Sequence, residues 1–381
     1  GLSSAEHPLL GAMLSLPQTD GVVFTSRLSL RTHPWLADHA VQGTVIFPGT
    51  GYVELAIRAG DSVDCDRLDE LVLEAPLVLP AQGGVQVQVV VGDADTPAAA
   101  GARRRSVAIY ACLDGQDAWT RHATGVVSAT TPHPGQDQAD GVFDPVSQAW
   151  PAPGATELDT SQFYEQLSEG GFLAYGPVFR GLSKAWKNGN QILAEVELPE
   201  AGRGLASSFG IHPALLDAAL HSTVFVGLDS AQEGGLPFSF TDVVLRASGA
   251  SRLRVALTRM GPDEVAVAVA DSTGLPVLSI GSLTVRPVAA GSIATSTGDG
   301  ALLRMQWIDA TLSAAPAEEW TVVDRSGSAN ADLEAVSAAL DEGAAPQAVV
   351  LAAAGDPRAV VDSTHELTVW VLQQVQRWLS G

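Results

Sequence analysis

Cysteine is nearly absent from this chain: Cys65 and Cys112 are the only two in 381 residues, at no C-x-x-C spacing. A disulfide framework is therefore not encoded, and a reducing, cytoplasmic setting is the expectation. Basic residues are scarce as well. With 21 Lys and Arg against 43 Asp and Glu, the formal net charge is −22, which argues against nucleic acid as a partner because phosphate binding needs a basic surface. An acidic protein partner would have to meet a local basic patch. No apolar run approaches the ~20 residues of a membrane span. The opening residues, GLSSAEHPLLGA, carry no charged n-region, so neither a membrane segment nor a secretory leader is expected. What is present is globular: 46% hydrophobic and 17% charged residues, over a length that suits two or three units.

The stretch from His33 to Gly60, HPWLADHAVQGTVIFPGTGYVELAIRAG, organises the rest. A helix is predicted after Pro48, with Tyr52, Val53, Leu55, Ala56 and Ile57 apolar and Glu54 and Arg58 on the other face. So apolar a helix should be buried. Its first amides then lack partners, and Gly49, Thr50 and Gly51 form a candidate oxyanion and thioester-binding site that a substrate oxygen can approach closely. Upstream, His39, Gly43 and Pro48 form H-x-x-x-G-x-x-x-x-P.

Around this stretch, LLGAMLSLP and GVVFTSRLSL read as a hairpin, and LVLEAPLVLP, GVQVQVVVGD, RRSVAIYACL and AWTRHATGVVSA as four strands. Residues 1–130 form a first α+β unit. Residues 131–155, rich in Pro, Gly, Asp and Gln, read as a linker. A second unit over 156–290 repeats the order of hairpin, apolar helix and strands. It opens with a short helix over 162–167 capped by Asp159 or Thr160, has a hairpin turned by Asn188-Gly189-Asn190, and carries the helix HPALLDAALHSTVFVGL from His212. Residues 291–300 read as a flexible linker. Residues 301–381 read as the start of an α/β sheet, Rossmann-like but without G-x-G-x-x-G, so no dinucleotide site is expected there. The chain reads as a piece of a longer polypeptide.

Asp217 and His221 lie four residues apart, on one face of the second apolar helix. A carboxyl set among Leu215, Leu216, Ala218, Ala219 and Leu220 would be desolvated, which favours its protonated, acid form. His221 either orients Asp217 or contacts a substrate hydroxyl. Tyr175-Gly176-Pro177-Val178-Phe179 has the Gly-Pro of a turn between helix and strand. Arg58, Arg103, Arg104 and Arg105 read as solvated charges, and His33 as structural. No metal is expected, since His39 and Asp217 have no further ligands at a recognised spacing.

These motifs resemble those of the dehydratase domains of modular type I polyketide synthases. The segment Leu36-Ala37-Asp38-His39 with Val41, Gly43, Pro48, Gly49 and Gly51 resembles the family's active-site histidine motif. Asp217 with His221 looks like D-x-x-x-Q/H, residues 175–179 like Y-G-P-x-F, and Leu236-Pro237-Phe238-Ser239-Phe240 like L-P-F-S-W with a changed last aromatic. The resemblance implies a double hot dog: two antiparallel sheets, each wrapped around a buried helix, here followed by a partial α/β segment that resembles the start of a ketoreductase structural subdomain. It implies elimination of water from a β-hydroxyacyl thioester, with His39 as base and Asp217 as acid. His221, Tyr175, Gly43 and Pro48 would support them, and Pro177, Phe179, Pro237 and Phe238 would line the pocket. No cofactor is expected in this chain. The substrate would arrive on the phosphopantetheine of an acyl carrier protein, and the carrier, neighbouring domains such as the ketoreductase, and a second copy of the chain are the expected partners. Double-bond isomerisation, oxa-cyclisation and an inactive scaffolding role are the alternatives.

Overall fold

The computed structural model describes residues 2–17, 19–95, 103–129, 149–229 and 235–288, with short pieces at 320–324, 348–352 and 369–371. The first half contributes β1 (Leu2–His7), β2 (Leu10–Ser15), β3 (Val22–Leu28), β4 (His39–Val41), β5 (Thr44–Val45), helix α1 (Gly49–Asp61), β6 (Arg67–Leu73), β7 (Val85–Ala94), β8 (Arg104–Leu113) and β9 (Thr120–Ser128). The second contributes β10 (Thr156–Leu158), α2 (Phe163–Glu169), β11 (Leu173–Tyr175), β12 (Leu182–Asn188), β13 (Gln191–Glu197), α3 (Glu200–Arg203) and α4 (Pro213–His221). Strands β14 (Gly235–Leu245), β15 (Arg252–Arg259), β16 (Glu264–Ala270) and β17 (Pro276–Pro287) complete it.

Strand β7 shows why the sheet wraps a helix. Val85, Val87, Val89 and Val91 are buried while Gln86 is exposed, so every second residue faces inward. That face meets α1, whose Val53, Leu55 and Ala56 are also buried. Each large side chain so covered contributes roughly 1.5–3 kcal/mol. In the second half α4 packs on β12, β13 and β15 in the same way. The double hot dog expectation holds, with one refinement. The two sheets are continuous, because β6 pairs antiparallel with β14 and places Leu71 opposite Phe240. The result is one sheet of 14 strands in the order β1-β2-β3-β7-β8-β9-β6-β14-β17-β16-β15-β13-β12-β10.

Several expectations are corrected. The opening hairpin has a third strand, β1, ahead of it. The stretch read as a linker ends early: Trp150 and Ala152 pack with Trp186, Leu193 and Ala256, and Trp150 Nε1 donates to Glu195 at 2.9 Å. Neither Asp159 nor Thr160 caps α2; the first accepts from Ser161 N and the second donates to the Ser183 carbonyl. Arg105 is not solvated but buried, bonded to Asp20 and the Gly92 carbonyl.

Glu54, on the face of α1 opposite its apolar residues, is buried and joins the halves. Its oxygens accept from Gly210 N at 2.7 Å and Ile211 N at 2.8 Å, and one of them lies 2.9 Å from His7 Nε2. Thr50 Oγ1 donates to the Pro213 carbonyl at 3.0 Å. Helices α1 and α4 are thereby locked side by side, which brings their N-terminal residues to one place.

Residues 300–381 form a separate compact unit. Its described core is the parallel pair β18 (Trp320–Asp324) and β19 (Ala348–Ala352). Parallel pairing suits an α/β segment, while the expected linker at 291–300 and most of the residues read as that segment lie outside the described residues. Among the described residues no helix is long and apolar enough to cross a membrane.

Candidate active site

The spacing of His39, Gly43 and Pro48 is that of a two-residue hairpin followed by a helix start. Strands β4 and β5 pair Ala40 with Val45 and Val41 with Thr44. The turn between them, Gln42-Gly43, has positive φ at both residues (49° and 76°), the requirement of the tight hairpin turn that glycine meets without strain. Folding back in this register puts Ile46 beside His39. Ile46 N donates to the His39 carbonyl at 3.2 Å, and the Ile46 carbonyl lies 3.0 Å from His39 Nδ1. A carbonyl only accepts, so Nδ1 carries the hydrogen and Nε2 of the neutral ring keeps its lone pair. Pro48 then supplies the extended N-cap of α1.

His39 Nε2 faces Asp217 Oδ2 across 4.0 Å. That is too long for a hydrogen bond. Both side chains are buried, at 4% and 6% residue exposure, and both line a cavity of about 580 Å³. Burial pushes the His39 imidazole below its ordinary range, against the opposing pull of Asp217 and the Ile46 carbonyl. Phe179 and Tyr175 pack on the ring, with centroids 5.1 and 5.8 Å away. A neutral imidazole with a free Nε2 and a carboxyl group on the opposite wall can together remove a proton and supply one.

Asp217 is held by His221, whose Nε2 lies 2.9 Å from Oδ2. His221 Nδ1 is 3.2 Å from the hydroxyl of Tyr164, which in turn accepts from Leu182 N at 2.8 Å. Tyr164 belongs to no recognisable motif in the sequence. Its position inside an ordinary amphipathic stretch, FYEQL, carries no signal of this contact. Tyr175 packs on His221 with ring centroids 4.1 Å apart and planes tilted by 41°, and burial raises its hydroxyl well above the usual phenol range. It makes no hydrogen bond to Asp217 in this structure.

The remaining expected residues divide. Gly49, Pro237 and Phe238 line the cavity together with Leu236, Leu220 and Leu173. Thr50 and Gly51 do not. Thr50 is spent on the Pro213 carbonyl, and Gly51 is packed under the Phe47 ring with its amide donating to the Pro48 carbonyl. The oxyanion expectation thus narrows to Gly49. Pro177 and Phe179 do not line the cavity: Pro177 is exposed, and Phe179 is fully buried as a support for His39. His33 is structural, 2.9 Å from the Pro8 carbonyl through Nε2. Among the described residues no cluster of three or more His, Cys, Asp or Glu is arranged to hold a metal ion.

Comparison with known proteins gives one consistent answer. A family model described as "Polyketide synthase dehydratase domain" matches residues 7–112, and one described as "Polyketide synthase dehydratase N-terminal domain" matches residues 143–294. Polyketide synthase GfsA of Streptomyces halstedii is 46% identical over 398 residues, covering 100% of this chain and 5% of that protein. The Mycoketide-CoA synthase of Mycobacterium tuberculosis (strain ATCC 25618 / H37Rv) is 46% identical over 319 residues, covering 83% of this chain and 7% of its own length. The chain therefore spans only a small fraction of these relatives. Among solved structures, the dehydratase domain from the terminal module of the rifamycin polyketide synthase is 48% identical with a TM-score of 0.67, covering 75% of this chain and 98% of its own. A bifunctional dehydratase-cyclase domain in ambruticin biosynthesis is 38% identical with a TM-score of 0.66, covering 75% and 99%.

Proposed function

The chain belongs to the dehydratase family of polyketide synthases, lyases that remove water from β-hydroxyacyl intermediates, and from that premise we propose that His39 and Asp217 perform the elimination here. His39 Nε2 takes the α-proton of a β-hydroxyacyl thioester. Asp217 protonates the departing β-hydroxyl, and the product is an α,β-unsaturated thioester and water. The observation that carries this reading is the placement of the two side chains on opposite walls of one buried cavity, 4.0 Å apart at their nearest atoms. An α-proton is weakly acidic and hydroxide leaves poorly, so a base and an acid must reach one substrate in a largely dry site. The Gly49 amide at the start of α1 is placed to polarise the thioester carbonyl as enolate-like charge develops. Thr50 and Gly51 serve by fixing that helix start.

The relatives are multidomain synthases, so the acyl group comes on the phosphopantetheine of an acyl carrier protein, with a ketoreductase and a second copy of this chain as neighbours in the assembly. The cytoplasm suits its two buried free cysteines. Incubation with a β-hydroxyacyl pantetheine thioester tests the reading. The expected outcome is an enoyl thioester absent from a His39→Phe control. A shifted double bond or a cyclic ether instead would establish one of the alternative chemistries, and no conversion would favour a scaffolding role.

A further inference from the structure

We propose that Tyr164, which lies outside the cavity, is a positioning residue: its hydroxyl hydrogen holds His221 as the neutral imidazole whose Nε2–H is donated to Asp217. The consequence for turnover rests on the dehydration reading, whereas the hydrogen assignment rests on geometry alone.

The assignment starts from Leu182. A backbone N–H can only donate, so at 2.8 Å the Tyr164 oxygen accepts there. The phenol then has one hydrogen to place, and His221 Nδ1 stands 3.2 Å away. Tyr164 is buried, and burial raises its hydroxyl far above the usual phenol range, so that hydrogen stays on. Nδ1 must therefore accept, which puts the ring hydrogen of His221 on Nε2, facing Asp217 Oδ2 at 2.9 Å. With Oδ2 occupied as an acceptor, the transferable proton of Asp217 sits on Oδ1.

An imidazolium at His221 would place a second hydrogen at Nδ1, opposite the phenol hydrogen, and leave a buried O–H without an acceptor. The Nε2–H tautomer satisfies the phenol hydrogen, Nδ1 and Oδ2 together. Around the ring, Tyr175 packs on His221 with tilted planes, Phe163 flanks it, Arg180 stands 5.7 Å above the Tyr164 ring, and His39 lies beyond Asp217. Without the Tyr164 hydrogen nothing on that side of the ring fixes which nitrogen bears the hydrogen, and the Nε2–H bond that orients Asp217 is no longer secured.

The test is long-range ¹H–¹⁵N correlation of histidine-labelled full chain, wild type and Tyr164→Phe, followed across pH 5 to 8. Wild-type His221 is expected as the Nε2–H tautomer. In Tyr164→Phe that tautomer is expected to give way to a mixture with the Nδ1–H form, with kcat about tenfold lower and KM changed less than about threefold. A tyrosine that merely packs would leave the tautomer unmoved, and that result overturns the proposal. So does a wild-type His221 protonated at Nδ1, which decides the matter even where Tyr164→Phe fails to fold. The expected tautomer in a wild-type chain without turnover would sink the dehydration reading and leave the role of Tyr164 standing.

Discussion

Tyr175 and His39 are direct cross-strand partners in the antiparallel pairing of β11 with β4. The two halves therefore meet at the His39 imidazole through backbone hydrogen bonds as well as packing. The side chain next to His39 reinforces the joint. Asp38 accepts from Val178 N at 2.8 Å, and its carbonyl accepts from Gly176 N at 2.8 Å.

Gly176 owes its identity to this contact, since an added Cβ would collide with the Asp38 carboxylate. Gly176→Ala is expected to push Asp38 off Val178, loosen the Tyr175–Phe179 turn and lower kcat/KM by about 10- to 100-fold, a scale in keeping with a displacement of about 1 Å near the chemistry. Because Gly176 and Asp38 share one contact, adding Asp38→Ala should cost less than the sum of the single changes. Strict additivity in the double-mutant cycle would contradict this account.

Asp217→Asn keeps an oxygen to accept from His221 Nε2 and removes the proton that leaves. Turnover is expected to fall by roughly 10² to 10⁴, the scale of a lost general acid, with KM little changed. Near wild-type kcat in this variant would make Asp217 structural.

Much of this site was legible because its residues sit in short motifs that resemble those of a known family. The resemblance of the segment around His39, Gly43 and Pro48 to a family motif pointed to the imidazole, and helical spacing put Asp217 and His221 on one face, whereas the hairpin that presents His39 emerged only in the structure. The valine alternation of β7 likewise announces a half-buried strand. What stayed hidden depends on long-range pairing. The join of β6 to β14, the burial of Glu54 against Gly210 and Ile211, and the reach of Tyr164 to His221 across 57 residues leave no periodic trace. The family resemblance implies Phe179 on the pocket wall, whereas its ring is buried against His39.

Acid should destabilise the fold partly through His212. This buried side chain caps α4 by accepting from Ala214 N and packs against Trp35 and Phe209, and burial lowers its pKa to about 4. The unfolded chain takes the proton near 6.5, so between those values it binds more protons than the native state, and stability falls as pH falls through that window. The full difference, roughly 2.5 pH units, corresponds to about 3 kcal/mol. His39 and His122, also lowered by burial, act in the same direction. Denaturant unfolding at pH 7 and pH 4.5 should show His212→Asn, which retains a capping oxygen, losing about 2 kcal/mol less than wild type between the two. Equal losses would remove His212 from the explanation.

The pH dependence of turnover should report His39. Its Nδ1–H is committed to the Ile46 carbonyl, and burial holds the ring neutral below the ordinary imidazole value. The reactive form is the unprotonated one, so kcat/KM should rise with pH through a midpoint below about 6.5 and stay level above it. A midpoint above that value would mean that Asp217 outweighs burial. His39→Ala should abolish both dehydration and exchange of the α-proton with solvent while thermal unfolding stays cooperative, because Phe179 and Tyr175 remain packed on each other, with ring centroids 6.3 Å apart, when the imidazole is gone. Exchange that persists in His39→Ala would move the base elsewhere, and the hairpin that presents this imidazole would then serve the architecture alone.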